Sequence, residues 1–128
     1  MQTSKTTAQI TGKVSIGSVP TSTSSKFEVN GASTNTASYS TTGMDIDFTQ
    51  SNLAYTTASA GAFTIIGLKD GGTYTLAVKG TVSGTSSFTQ SGITFHTVNN
   101  TKTTVDKHTI YTFVVMGSDA YVWMTKGF

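Results

Sequence analysis

The sequence predicts an all-β protein, a small antiparallel sandwich or barrel in each chain, and three observations predict it. Apolar residues nowhere recur at helical spacing over ten or more residues, so there is no stripe for an amphipathic helix to bury. Thr, Val, Ile, Phe and Tyr dominate the apolar positions, and β-branched and aromatic side chains suit a pleated, half-buried surface. Several short segments beyond Gly43 alternate apolar with polar residues, as strands do because successive side chains point to opposite faces.

The first strand is read from Met44, Ile46 and Phe48 alternating with Asp45, Asp47 and Thr49. Ile66 and Leu68 close the next run, followed by Lys69-Asp70-Gly71-Gly72. Asp-Gly is a tight-turn signal because both central residues of a type I′ turn need positive φ. Tyr74, Leu76 and Val78 alternate beyond it with Thr73, Thr75 and Lys79, so the two runs are expected to form a hairpin. A looser strand around Ser87 to Thr89 should turn at Ser91-Gly92 into Ile93-Thr94-Phe95-His96, and the polar stretch Asn99 to Lys107 should be a loop.

The final hairpin runs from His108 to Lys126 about Gly117-Ser118-Asp119, and both its strands, Ile110 to Met116 and Ala120 to Met124, are apolar on both faces. One face can go to the domain's own core. The second needs another layer or another copy of the chain.

Residues 1 to about 40 differ sharply. Val14, Ile16, Val19, Phe27 and Val29 stand sparsely among many Ser, Thr, Gly and Asn, too few for a private core yet too patterned for a plain linker. Such a segment gains order by packing against identical neighbours around an axis. Two parts are therefore expected: an intertwined segment over 1–42 and a β domain over 43–128. Met1 ahead of a Ser/Thr-rich run reads as a natural start or as the first residue of an excised fragment, and the fragment is expected.

Composition narrows the function. Charged residues are 11% of the 128, against about 25% in ordinary soluble domains. Arginine is absent and Ser plus Thr make up about a third of the chain. A formal charge of +2 spread over eight lysines offers neither the basic stripe nor the arginine forks that phosphate recognition favours, so nucleic acid is not an expected partner. No window approaches the ~20 apolar residues of a membrane-spanning helix. Absence of cysteine removes disulfides, thiolate chemistry and Cys-based metal sites together.

No catalytic constellation is expected. Asp45 and Asp47, two residues apart on a strand, share a face as the paired acids of a glycosidase would, but solvated alternation explains them equally. The only histidines, His96 and His108, have no zinc-motif spacing. Threefold symmetry could gather three copies of one histidine at an axis, whereas a hydrogen-bonded histidine at a strand end needs no such assembly. No G-x-S-x-G elbow accompanies them. No metal and no cofactor are expected.

Aromatic residues say more. Tyr111, Phe113, Tyr121 and Trp123 lie in the last hairpin, with Tyr55 and Tyr74 upstream. Rings with a polar handle suit sugars, and they equally suit a subunit interface. Whether Tyr121 and Trp123 share a face with Tyr111 and Phe113 depends on the turn: a three-residue loop unites them, and two or four residues separate them. Candidate ligand-binding residues are Asn99, Asn100, Lys102 and Lys107 in the long loop, where function usually sits on a rigid scaffold, with His96, Tyr111, Tyr121 and Trp123 second.

Lys13-Val14-Ser15-Ile16-Gly17-Ser18-Val19-Pro20, followed by Ser25-Lys26-Phe27-Glu28-Val29-Asn30-Gly31, resembles the stalk motif of phage-type fibres. That motif runs V-G-I-G-T, a proline, then L-x-V-N-G; Ser15, Ser18 and Phe27 depart from it, and the match covers about twenty residues. Lys69 to Leu76, Phe95-His96 and His108 to Gly117 resemble the carboxyl-terminal tips of tail fibres and of the trimeric, phage-fibre-like adhesins of predatory bacteria such as Bdellovibrio. The resemblance implies a homotrimer with a narrow stalk and a terminal β domain that recognises surface molecules, often glycans; with no catalytic constellation among the residues, a non-enzymatic tip at the cell or virion surface, bound to a surface receptor, is expected. It carries over no binding residue. A purely structural fibre cap or virion decoration is the alternative, and a glycan-cleaving tailspike head a further one.

Overall fold

Short strands joined by sharp corners set the architecture. The computed structural model describes Thr11, residues 32–40 and residues 43–128. The stalk-like motifs at 13–20 and 25–31, with the sparse apolar set they carry, lie outside the described residues. The chain divides into two units, and the second, Thr34–Phe128, is the subject below.

The all-β expectation holds: the described residues form nine strands and no helix. The strands are β1 (Ser38–Ser40), β2 (Asp45–Asp47), β3 (Leu53–Thr56), β4 (Ala62–Ile66), β5 (Thr73–Val78), β6 (Ser87–Thr89), β7 (Thr94–Val98), β8 (Thr109–Met116) and β9 (Asp119–Lys126). They make a six-stranded sheet in the order β1-β3-β5-β8-β9-β7 and a three-stranded sheet in the order β2-β4-β6. Neither sheet closes on itself, so the architecture is not a closed barrel.

The antiparallel part of the expectation does not hold. Among the described residues five strand pairings are parallel and two antiparallel. From β1 to β6 the chain alternates between the sheets, so each strand meets the next but one running the same way. Parallel neighbours need a long crossover between them, and here the intervening strand of the other sheet supplies it. The register offset grows along the chain: 16 residues for β1 to β3, 19 for β2 to β4, 22 for β3 to β5 and 25 for β4 to β6.

The expected hairpin about Asp70-Gly71 is likewise corrected. Its turn is present, with the Gly72 N–H donating to the Lys69 carbonyl at 3.0 Å, but β4 and β5 belong to different sheets. The chain has already turned at Gly67, whose φ is +90° and where a Cβ would lie 2.7 Å from the Thr49 nitrogen. That left-handed corner, open only to glycine at such close approach, aims β5 at β3 and β8 instead of back along β4. The turn at Ser91-Gly92 also forms, with the Ile93 N–H donating to the Gln90 carbonyl at 3.2 Å. A single antiparallel bridge, Gln90 to Ile93, follows, and then β6 and β7 part into different sheets.

The last hairpin forms as expected, and Met116 opposes Asp119 across the two-residue loop Gly117-Ser118. Phe113 therefore opposes Val122, and Val114 opposes Tyr121. Tyr111 and Phe113 face the core while Tyr121 and Trp123 face outward.

The two sheets pack their inner faces together. Ile46, Phe63 and Ile65 come from the small sheet; Leu76, Val78, Phe113, Val115 and Val122 come from the large one, all at 1% exposure or less. Phe88 sits at the centre. Its ring stands edge-on to Tyr111 and Phe113, each at 5.0 Å, and stacks near Phe63 at 5.9 Å. Such pairs add about 0.5–1.5 kcal/mol each beyond their buried area. Two ties hold polar groups at the core: the Tyr111 hydroxyl donates to Ser86 Oγ at 2.8 Å, and the Gln90 side-chain amide holds both the N–H and the carbonyl of Leu68.

Candidate functional site

Alternation along β9 places Asp119, Tyr121 and Trp123 on the outer face of the large sheet, opposite to Ala120 and Val122 in the core. Parallel pairing then sets Thr94 beside Asp119, His96 beside Tyr121 and Val98 beside Trp123. On the other side Val114 and Thr112 of β8 flank the two rings. Tyr121 is 45% exposed and Trp123 43%, so hydrophobic rings with polar handles lie open on the paired strands β7 and β9. This is an aromatic shelf.

His96 is fixed in it from two sides. Its imidazole stacks on the Tyr121 ring with centroids 5.3 Å apart and planes 22° apart, and its Nε2 lies 2.7 Å from Asp119 Oδ1. Both partners are close to half exposed, so the pair orients the imidazole more than it stabilises the fold; exposed pairs contribute about 0–1 kcal/mol. A histidine on a carboxylate is also two-thirds of a hydrolytic triad. Among the described residues, though, no hydroxyl is hydrogen-bonded to this imidazole.

The long loop is less open than its composition suggests. Asn99, at φ 55°, and Lys102 and Lys107 are exposed. Asn100 is turned inward: its Nδ2 donates to the Ser86 carbonyl at 2.8 Å, and its Oδ1 is buried with no partner. Thr103, 5% exposed, receives the Gly84 N–H on its hydroxyl, and Lys126 Nζ donates to Thr101 Oγ1 and the Lys102 carbonyl. The loop is thus stitched to residues 81–86 and to the end of β9.

Two of the sequence-derived candidates are corrected by this geometry. Tyr111 is fully buried, and burial pushes its hydroxyl pKa up despite the bond to Ser86; a ring inside the core meets no external ligand. Asn100 spends its amide on Ser86. His96, Tyr121 and Trp123 are brought together, while Asn99, Lys102 and Lys107 remain on the loop. Sequence reasoning missed Asp119, seen there only as a turn residue, and Ser86, the buried tie that receives both Tyr111 and Asn100.

Asp45 and Asp47 do share an exposed face on β2. Hydrogen bonds from Thr49, first its hydroxyl and then its N–H at 2.7 Å, hold the Asp47 carboxyl below its ordinary value. A general acid needs the opposite shift. Among the described residues no three His, Cys, Asp or Glu side chains gather where they could hold a metal ion.

A concavity opens where β6 and β7 diverge. It is an open groove of about 860 Å³, lined by Ile65, Ile66, Phe88, Ile93 and Phe95 together with Thr64, Thr89 and Ser91. Nothing titratable lines it, so it can bury apolar groups but not move protons. No sequence signal marks it, because it arises from the parting of two strands after one bridge.

No protein-family model, no curated protein and no solved structure matches the chain.

Proposed function

We propose that this chain is the tip of a homotrimeric fibre that attaches, without catalysis, to a glycan on a target surface. One observation carries the reading: His96, Tyr121 and Trp123 stand outside the core on two paired strands, with the His96 imidazole stacked on the Tyr121 ring. Sugar C–H faces pack on such rings while hydroxyls take hydrogen bonds at the edges. A surface rich in Ser and Thr and poor in charge supports the same ligand class. Three copies on one fibre raise weak single contacts through avidity. Acid–base cleavage at Asp45 and Asp47 draws no support from the fold, since both carboxyls lie exposed on β2 and a general acid needs burial to raise its pKa.

Glycan-array binding by the wild-type chain, lost in Trp123→Ala with the oligomer mass unchanged, is the expected result; an array blank for the wild type overturns the glycan assignment. Light scattering should give three times the chain mass, and a monomer mass removes the trimer. A structural cap is the second reading, favoured by the half-buried apolar residues Ile110 and Val114 on the outer side of β8. Under it Trp123→Ala would alter assembly and leave attachment unchanged.

A further inference from the structure

We infer that the shelf takes a linear run of neutral sugars, two units or longer, lying along β9, and that Asp119 excludes acidic sugars. The inference rests on the glycan reading above and specifies its ligand. Asp119, Tyr121 and Trp123 are successive outward residues of one strand. At a rise of about 3.3–3.4 Å per residue they are set about 6.7 Å apart and span about 13 Å from first to last. One sugar ring cannot reach from the Trp123 face to the Asp119 carboxylate. A chain can.

Each position offers a different contact. Trp123, 43% exposed, brings an indole ring and its N–H donor. Tyr121 is backed by the stacked His96, which stiffens it and leaves its hydroxyl as donor and acceptor. Asp119 uses Oδ1 on His96, and its second oxygen accepts from sugar hydroxyls, a charge-assisted bond stronger than a neutral one.

Charge sets the selectivity. Among the outward residues of β7, β8 and β9 that surround the shelf (Thr94, His96, Val98, Thr112, Val114 and Thr125), none is lysine. Alternation puts Lys126 on the opposite side from Trp123, and its ammonium is engaged by Thr101 and Lys102. A uronate or sialate on the shelf would therefore meet the Asp119 carboxylate with no lysine among these described residues to offset it and only the paired imidazole of His96 beside it, and like charges at close range disfavour binding even in water.

The test is calorimetry or array titration of the full-length chain at pH 8 with matched neutral mono-, di- and trisaccharides and their acidic counterparts. Affinity should rise at least tenfold from mono- to trisaccharide. Neutral sugars should bind at least about threefold tighter than acidic ones, the smallest effect expected of one like charge in water. Asp119→Asn should weaken neutral binding and erase that preference; Trp123→Phe should keep part of the binding that Trp123→Ala loses. Equal affinity for mono- and trisaccharides, or a preference for acidic sugars, overturns the inference and leaves the glycan reading standing, as does glycan binding that survives both Trp123→Ala and Asp119→Asn. Absence of binding to any sugar overturns both.

Discussion

The coiled half of the domain, β1 to β6, and the hairpin half, β8 and β9, solve the problem of a second sheet face differently. Strands in the coil are three to six residues long. In the small sheet they bury only their inward residues: Ile46 is flanked by exposed Asp45 and Asp47, and Phe88 by exposed Ser87 and Thr89. The hairpin strands are eight residues long and carry apolar or aromatic residues outward as well, with Ile110 and Val114 half-buried and Tyr121 and Trp123 open. A one-faced strand completes a wall, whereas a two-faced strand completes the wall and presents a surface. The comparison separates residues that hold the fold from residues left free for contact.

Substitutions should divide along the same line. The largest effect is expected for Phe88→Ala, which empties the centre of the aromatic cluster and should cost about 3–5 kcal/mol, read from the urea midpoint. Gly80→Ala should follow at about 1–3 kcal/mol, the usual cost of overpacking, because its Cβ would run into the Ser59 nitrogen and the Ala58 carbonyl. If Gly80→Ala is neutral, the turns of the coil are not packed this closely.

Tyr111→Phe probes where the two halves meet. It leaves Ser86 Oγ without its donor and should cost about 1–2 kcal/mol at neutral pH. The folded-state pKa of Tyr111 is raised by burial, so its neutral hydroxyl stabilises the fold fully below the ordinary value near 10 and loses that contribution as pH rises through the raised value. Alkaline titration of stability should show this loss in the wild type and not in Tyr111→Phe.

Trp123→Ala should change stability by less than about 1 kcal/mol while abolishing attachment, the outcome that most directly sharpens the distinction between wall and surface. Smallest is Asp47→Asn. The carboxyl pKa is lowered in the folded state, so its charge stabilises at neutral pH and ceases to as pH falls through that lowered value. Denaturation midpoints of the two proteins should differ slightly at pH 7 and converge in acid below the ordinary 3.8.

Much of this was legible in the residues and some was not, for identifiable reasons. Ile46 between two aspartates marks a half-buried strand by itself, and Gly117-Ser118-Asp119 marks a hairpin because its strands are long and contiguous. Sheet membership around Asp70-Gly71 was illegible: the turn signal is local, whereas the partner of β5 is decided by the corner at Gly67 and by β3 and β8. The coil was hidden for a similar reason. Repeats announce themselves by a fixed period, and here the return lengthens from 16 to 25 residues. At the site, His96, Tyr121 and Trp123 were marked as chemistry, but Asp119 looked like turn punctuation until parallel pairing brought its carboxylate to the imidazole.

By itself the sequence determined that the chain is all-β, that its last two strands have two apolar faces, and that Tyr121 and Trp123 are separated from Tyr111 and Phe113 or united with them according to one turn. These follow from side-chain periodicity, which is local. Only the tertiary structure decided which strands are neighbours, that most of them run parallel, that Tyr111 belongs to the core, and that the aromatic shelf faces outward beside a carboxylate. Those depend on register between distant segments, and a register is chosen by the packing of the whole core and not by any one strand.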